Sequence, residues 1–176
     1  MKEECEGYPF IFQMIDRDNS DKYLVETLQY RFKSSKSNRT YIVRVEKYIE
    51  HSYCLKFFDK ANMNSNRKFS LRTNTFEPRR IFYTLFHIML DVLKQDDKAS
   101  FFFVGAEDER DILGYSTRRF RVYYKFVSSV VSDRLFGHYP IREESLYILV
   151  NKKNIENRKE YASKITKAVK AMYSHH

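Results

Sequence analysis

The hydrophobic and polar positions of the chain follow two different periods in succession. From residue 10 to about residue 71, apolar side chains recur at every second position in short segments, as in residues 41–45 and 53–57. Alternation of this kind predicts half-buried β-strands. The polar segments SSKSN and NMNSN between the strands are too short to hold crossover helices, so the sequence predicts an antiparallel meander.

The meander has five predicted strands. The first is the apolar run FIFQMI at 10–15, and the second contains Leu24, Leu28, Tyr30 and Phe32 at even spacing, with Glu26 interrupting the pattern. Two alternating strands follow at 41–46 and 53–58, and Phe69 and Leu71 indicate one more short strand.

The period changes to that of a helix at residue 78. One stripe is apolar and consists of Ile81, Leu85, Ile88, Met89, Val92 and Leu93. The opposite stripe is polar and consists of Arg80, Thr84, His87, Asp91 and Lys94. Pro78 suits the first turn, where its missing N–H has no partner in any case. The pattern predicts an amphipathic helix whose polar stripe is exposed, with His87 paired locally to Asp91.

The second half of the chain predicts two strands and two helices. ASFFFVG is an apolar run of buried-strand length, and EESLYILV at 143–150 is another strand that is partly apolar on both faces. The chain ends in a helix with Asn154 or Asn157 as its N-cap. Its buried stripe consists of Tyr161, Ile165, Ala168, Val169 and Met172.

The segment STRRFRVYYKFVSSVV fits both a strand and a helix. A strand would place Arg119, Arg121, Tyr123 and Lys125 on one exposed face. The pattern runs for about twenty residues, longer than most strands, and Ser116 or Thr117 is a suitable N-cap. Length therefore favours a helix over residues 116–136. Its core stripe would consist of Phe120, Tyr123, Tyr124, Val127, Val130, Val131 and Leu135, opposite the cations Arg118, Arg121 and Lys125.

Together these elements predict an α+β fold. We expect a single domain over residues 1–176, with a twisted antiparallel sheet of about six or seven strands and two or three helices packed on one face. Residues 1–7 are expected to be a flexible N-terminus, and residues 174–176 a frayed end.

Composition narrows the class of protein. Apolar residues make up 43% of the chain and aromatic residues 16%, which is enough for a hydrophobic core. Cys5 and Cys54 have no second pair and no histidine cluster beside them, so we predict neither a disulfide framework nor a cofactor. The acidic N-terminus and the lack of a membrane-length apolar run predict a cytoplasmic protein without a membrane partner.

Charge is unevenly distributed and suggests a polyanion as partner. The net charge is +9, yet residues 1–30 hold three cations against seven acids, so the remaining chain is strongly basic. A basic body attracts nucleic acids without specifying which one. The leading hypothesis is a non-enzymatic binding module that contacts RNA or DNA phosphates. The residues predicted to bind are Arg118, Arg119, Arg121, Lys125, Lys164, Lys167 and Lys170, which form one patch if the two helices lie side by side.

The acidic turn EDERD offers an alternative chemistry. Glu107, Asp108 and Asp111 could supply oxygens to Mg²⁺, with Arg119 as a phosphate clamp, in a divalent-metal hydrolase. The structural alternative is an acidic loop that pairs with Arg118 or Arg119. The chain has no GxGxxG, GxxxxGK[ST], HExxH or GxSxG motif, which disfavours the enzyme classes that those motifs announce. A further hypothesis is a protein-partner component of a bacterial toxin–antitoxin or phage-defence pair.

The order of elements resembles a family of small bacterial α+β proteins catalogued only as a domain of unknown function. The resemblance spans roughly residues 8–170 and is sharpest where a strand enters an acidic turn that precedes an arginine and two aromatics. Glu107 and Asp108 match the turn acids, and Arg119, Tyr123 and Phe126 match the helix positions. The family has a tight CDSxD turn and a tryptophan, where this chain has AEDERDILGY and no tryptophan. The resemblance implies the α+β layout and no activity.

Overall fold

The computed structural model describes residues 6–17, 22–66, 68, 77–105, 116–153 and 156–173. It confirms the α+β class, because the described residues form seven strands of a mostly antiparallel open sheet together with three helices. The chain divides into two compact units, Met1–Asp97 and Lys98–His176. Among the described residues, no helix is both long enough and apolar enough to cross a membrane.

The first unit is a four-stranded antiparallel meander with one helix. Its strands are β1 (Phe10–Asp16), β2 (Glu26–Lys33), β3 (Thr40–Lys47) and β4 (Ser52–Asp59), and its helix is α1 (Pro78–Gln95). Each strand pairs antiparallel with the next one along the chain, as the short connections predict. The strand predicted at Phe69 and Leu71 lies outside the described residues.

Helix α1 confirms its predicted apolar stripe but not its predicted exposed one. Ile81, Ile88 and Val92 are buried as expected. Thr84, however, is completely buried and accepts a hydrogen bond from the Tyr8 backbone N–H at 2.7 Å. Asp91 accepts one from the Tyr30 hydroxyl at 3.0 Å. The prediction that this stripe is exposed is wrong for Thr84, which lies against the Tyr8 backbone. Asp91 is half-buried where it accepts the Tyr30 hydroxyl.

A buried carboxylate ties the beginning of α1 to the rest of the first unit. Glu77 is only 6% exposed, and it accepts hydrogen bonds from the hydroxyls of Tyr8, Ser34 (2.8 Å) and Ser37 (3.0 Å). The Arg80 guanidinium lies 4.0 Å from the centroid of the Tyr8 ring, a cation–π contact. The network therefore connects the N-terminal segment, the β2–β3 turn and the helix.

The second unit is a three-stranded antiparallel sheet with two helices. Its strands are β5 (Ser100–Val104), β6 (Phe136–Ile141) and β7 (Leu146–Asn151), and its helices are α2 (Arg118–Val130) and α3 (Arg158–Tyr173). β7 pairs with β5 on one side and β6 on the other. β6 is a strand that the sequence analysis missed, since Gly137 and Pro140 suggest a turn. Proline is tolerated in an edge strand, and β6 pairs with β7 alone within this unit.

The helices α2 and α3 lie against opposite faces of this three-stranded sheet. The ring of Tyr147 in β7 contacts that of Tyr124 in α2, with centroids 5.7 Å apart. The other face carries Gly137, which pairs with Val150, and a Cβ atom at Gly137 would lie 3.6 Å from Cδ of Arg158 in α3. All six residues of β7 are buried, and a strand that is apolar on both sides needs cover on both.

A buried tyrosine holds β7 to β6. The Tyr147 hydroxyl lies 2.6 Å from Nδ1 of His138, and the tyrosine is only 1% exposed. Burial, together with the negative charges that Tyr124 and Asp133 can carry, raises the pKa of Tyr147 to about 12. The folded protein therefore holds this proton more tightly than the unfolded chain does.

We expect stability to fall at alkaline pH, partly through Tyr147. An unfolded tyrosine ionises near pH 10, about two units below the folded one, so the stability that Tyr147 contributes is complete below about pH 10 and is lost as the pH rises towards 12. Urea denaturation at several pH values should show a shallower loss in Tyr147→Phe than in the wild type. An equal slope in both proteins would contradict the assignment.

Candidate polyanion-binding surface

The start of helix α2 is fixed by a buried threonine and a glycine. Thr117 is fully buried, and its hydroxyl donates to the Gly105 carbonyl (3.1 Å) and accepts from the Phe120 N–H (3.2 Å), which confirms the predicted N-cap. Its own N–H donates to Oγ of Ser145 at 2.8 Å. A Cβ atom at Gly105 would lie 2.6 Å from the Phe120 nitrogen, so only glycine allows the strand and helix to approach this closely.

The ambiguous basic–aromatic segment is a helix, as its length predicts, but a shorter one. It covers Arg118–Val130 rather than 116–136, and Leu135, predicted to lie in its core stripe, is 63% exposed. Arg118, Arg121 and Lys125 are exposed as expected, whereas Arg119 is half-buried. The structure therefore places three of the predicted cations on the solvent side of one helix.

The charges of α2 oppose its helix dipole. Arg118, Arg119 and Arg121 all lie in or next to the first turn, where the N-terminus of a helix carries partial positive charge. No acidic residue occurs anywhere between Arg118 and Val130. Each cation at this end costs typically about 0.3–1 kcal/mol when exposed. A helix that begins in this way is suited to an anion, which would compensate both the side-chain charges and the dipole.

Aromatic side chains of α2 are more exposed than the sequence suggests. Phe120 and Val127 are buried, but Tyr123, Tyr124 and Phe126 are only half-buried, and Val122 is 41% exposed. The surface therefore combines cations with partly accessible rings. Proteins that bind single-stranded nucleic acids use the same combination.

The structure adds Arg142 to this surface. Arg142 is exposed, and its guanidinium carbon lies 5.0 Å from the centroid of the Tyr124 ring. Its carbonyl accepts a hydrogen bond from the Ser116 N–H at 2.8 Å, just before α2 begins. Arg142 follows β6, which the sequence analysis did not recognise, so no sequence signal connected it to the helix.

The predicted lysines of α3 are exposed. Lys164, Lys167 and Lys170 all lie on the solvent side of α3, and Lys170 forms a 3.1 Å ion pair with Glu144. Glu144 lies in the same turn as Arg142, so one end of α3 reaches the turn that also carries Arg142.

The metal hypothesis falls outside what the structure describes. Glu107, Asp108 and Asp111 all lie in the segment 106–115, which is not among the described residues. Within the described ranges, no three His, Cys, Asp or Glu side chains are grouped so that they could hold a metal ion.

A histidine–aspartate pair in the first unit was not predicted. Glu50 and His51 both have positive φ (56° and 60°) in the tight turn between β3 and β4, a conformation that usually requires Asn-Gly. Nδ1 of His51 lies 2.7 Å from Oδ2 of Asp96, which also accepts the Tyr53 hydroxyl at 2.8 Å. Burial and this bond raise the pKa of Tyr53. A histidine beside an aspartate can act as a general base in an enzyme. Here the contacts anchor a strained turn to the end of α1, and we assign the pair that structural role.

No protein-family model, curated protein or solved structure matches the chain.

Proposed function

We propose that the protein is a polyanion-binding module that contacts the phosphates of RNA or DNA through helix α2 and Arg142. The observation that carries the proposal is the start of α2, where three arginines lie at the positive end of the helix dipole with no acidic residue in the helix. Cations at this end of a helix oppose its dipole, and a bound phosphate would complement both the dipole and the side-chain charges.

The geometry favours contacts to the nucleic-acid backbone over recognition of base sequence. Arg118, Arg121 and Lys125 follow one side of the helix at the spacing of successive turns, which suits a row of phosphates. The guanidinium carbon of Arg142 lies 5.0 Å from the Tyr124 ring centroid, so a cation and an aromatic ring are neighbours on this surface. We expect binding with little sequence preference and a steep dependence on salt.

The test compares two variants that remove the same charge from two different helices. Fluorescence anisotropy with labelled single- and double-stranded RNA and DNA is measured for the wild type, for Arg118→Ala/Arg121→Ala/Lys125→Ala and for Lys164→Ala/Lys167→Ala/Lys170→Ala. We expect the α2 variant to bind at least about tenfold more weakly, with a salt slope lower by about one for each phosphate that the variant can no longer bind. The α3 variant should bind much as the wild type does.

Two results would contradict the proposal. Dissociation constants in the millimolar range at low salt would show that the exposed cations are a solvated face and nothing more. Equal weakening in both variants would show that only net charge matters, and that α2 forms no binding surface of its own.

A further inference from the structure

Aromatic side chains border the cations of α2 on both sides. Residues three or four apart are neighbours on a helix surface, so Tyr124 lies beside Arg121, and Phe126 lies beside Val122. Arg121 and Val122 are exposed, whereas Tyr124 and Phe126 are half-buried, so each ring remains partly accessible. The exposed side of α2 is therefore a row of cations with an aromatic ring on either flank.

The rings on these flanks are positioned by packing within the second unit. The Tyr124 ring centroid lies 5.7 Å from that of Tyr147 in β7 and 6.1 Å from that of the buried Phe120. On the other flank, the ring centroid of the half-buried Tyr123 lies 6.3 Å from that of Phe103 in β5. A ring whose position is already fixed loses little conformational entropy when a flat group stacks on it.

Arg142 adds a second flat group to the Tyr124 flank. Its guanidinium carbon lies 5.0 Å from the Tyr124 ring centroid, and the residue is exposed. The Ser116 N–H donates to the Arg142 carbonyl at 2.8 Å, which fixes this turn beside the start of α2. Nucleic-acid bases stack on guanidinium planes as well as on aromatic rings. This flank therefore offers both kinds of stacking surface.

Charge alone would give this surface the opposite preference. A duplex carries one negative charge per about 1.7 Å of its axis and releases more counterions for each contacted phosphate than a single strand does. Cations without rings would therefore bind a duplex at least as tightly. In a duplex, however, the bases are stacked on one another, so their faces are closed to a protein ring. Only a single strand offers phosphates to the cations and base faces to the rings together.

We propose that the α2 surface selects single-stranded over double-stranded nucleic acid by stacking bases on Tyr124 and Phe126. The inference rests on the proposed function, because the cations of α2 hold the backbone of the same strand. The helix is about 20 Å long, which is enough to follow several nucleotides. Stacking tolerates any sequence, since every base has a flat face. Single strands of RNA and of DNA share this chemistry, and both belong in the test.

Oligonucleotides of about ten nucleotides, within the range of known single-strand sites, test the proposal. Fluorescence anisotropy compares single-stranded DNA and RNA, the matching duplexes, and a DNA strand in which abasic sites replace the bases. The abasic strand keeps every phosphate and lacks every base. The wild type should bind the intact single strands at least about tenfold more tightly than it binds the duplexes or the abasic strand.

A variant without the two rings separates stacking from charge. Tyr124→Leu/Phe126→Leu keeps the net charge and leaves an apolar side chain at each position. It should bind intact single strands about tenfold more weakly, with unchanged duplex binding and an unchanged salt slope. The matched control is Phe12→Leu, the same kind of change at a 50% exposed ring of the first unit, which should bind every probe as the wild type does. Circular dichroism verifies that both variants are folded.

Two results would overturn single-strand selection and leave polyanion binding in place. One is equal affinity of the wild type for single strands, duplexes and the abasic strand. The other is a ring variant that binds single strands like the wild type, or that loses single-strand and duplex binding equally. A wild type that binds none of these oligonucleotides would overturn the proposed function and this inference together.

Discussion

Replacing Glu77 with alanine is expected to lower the free energy of unfolding by about 2–5 kcal/mol, since a buried donor left without its acceptor costs about 1–3 kcal/mol. Two of the hydroxyls that donate to this carboxylate are almost fully buried, those of Tyr8 (2% exposed) and Ser34 (0%). Both hydroxyls are closed off from solvent in the folded protein, and Ser34 keeps only the Tyr8 hydroxyl, 3.1 Å away, as another acceptor. Ser37 adds a third donor at the edge of the network. Equilibrium urea denaturation followed by circular dichroism measures the change.

Two further variants separate the hydrogen bonds from the charge and the volume. Glu77→Gln keeps one acceptor oxygen in nearly the same shape, so it should lose clearly less stability than Glu77→Ala. Glu143→Ala removes an exposed carboxylate and should change the free energy of unfolding by no more than about 0.5 kcal/mol. If Glu77→Ala behaves like Glu143→Ala, the network contributes nothing to stability.

The parts of the fold that sequence could predict are those that depend on local periodicity. Alternation over residues 41–45 and 53–57 predicts β3 and β4, and the short polar segments between strands predict antiparallel pairing. The helical stripe from Ile81 to Val92 is confirmed in α1. The length of the basic–aromatic segment that begins at Arg118 correctly favoured a helix, because the segment is longer than an ordinary strand.

The parts that sequence could not predict depend on contacts between distant residues. Thr84 and Asp91 look solvent-exposed on a helical wheel. Only the fold shows that Thr84 is buried against the Tyr8 backbone and that Asp91, half-buried, accepts the Tyr30 hydroxyl. A tyrosine has an apolar ring and a polar end, so its presence in a strand does not indicate what its hydroxyl meets. Periodicity therefore identifies the buried face of an apolar helix better than that of a mixed one.

In the candidate site, too, local periodicity predicts some features and contacts between distant residues determine the others. The exposure of Arg118, Arg121 and Lys125 follows from the helical period alone, whereas Arg142 joins them only because the chain returns beside Tyr124. The burial of β7 follows from its own run LYILV, which is apolar on both faces and therefore needs cover on both.

Helix α2 carries cations at the positive end of its dipole, and Phe120 is its most deeply buried side chain. Phe120→Ala is expected to lower the free energy of unfolding by about 3–5 kcal/mol, the usual cost of a cavity of this size. The phenylalanine is 1% exposed, its Cβ lies close to Gly105, and its ring centroid lies 6.1 Å from that of Tyr124 one turn further along the helix. The measurement is urea denaturation of the variant beside the wild type.

Val122→Ala is the matched control for Phe120→Ala, since Val122 lies on the same helix but is 41% exposed. It should change the free energy of unfolding by no more than about 0.5 kcal/mol, because alanine loses little burial there and has the higher helix propensity. If the two variants were equally stable, Phe120 would not anchor α2.

If Phe120→Ala abolished nucleic-acid binding while Val122→Ala kept it, the arginines would require an ordered helix to act together. Cations on an unfolded segment would still attract phosphates, but they would lack the fixed spacing and the helix dipole on which the proposed binding depends.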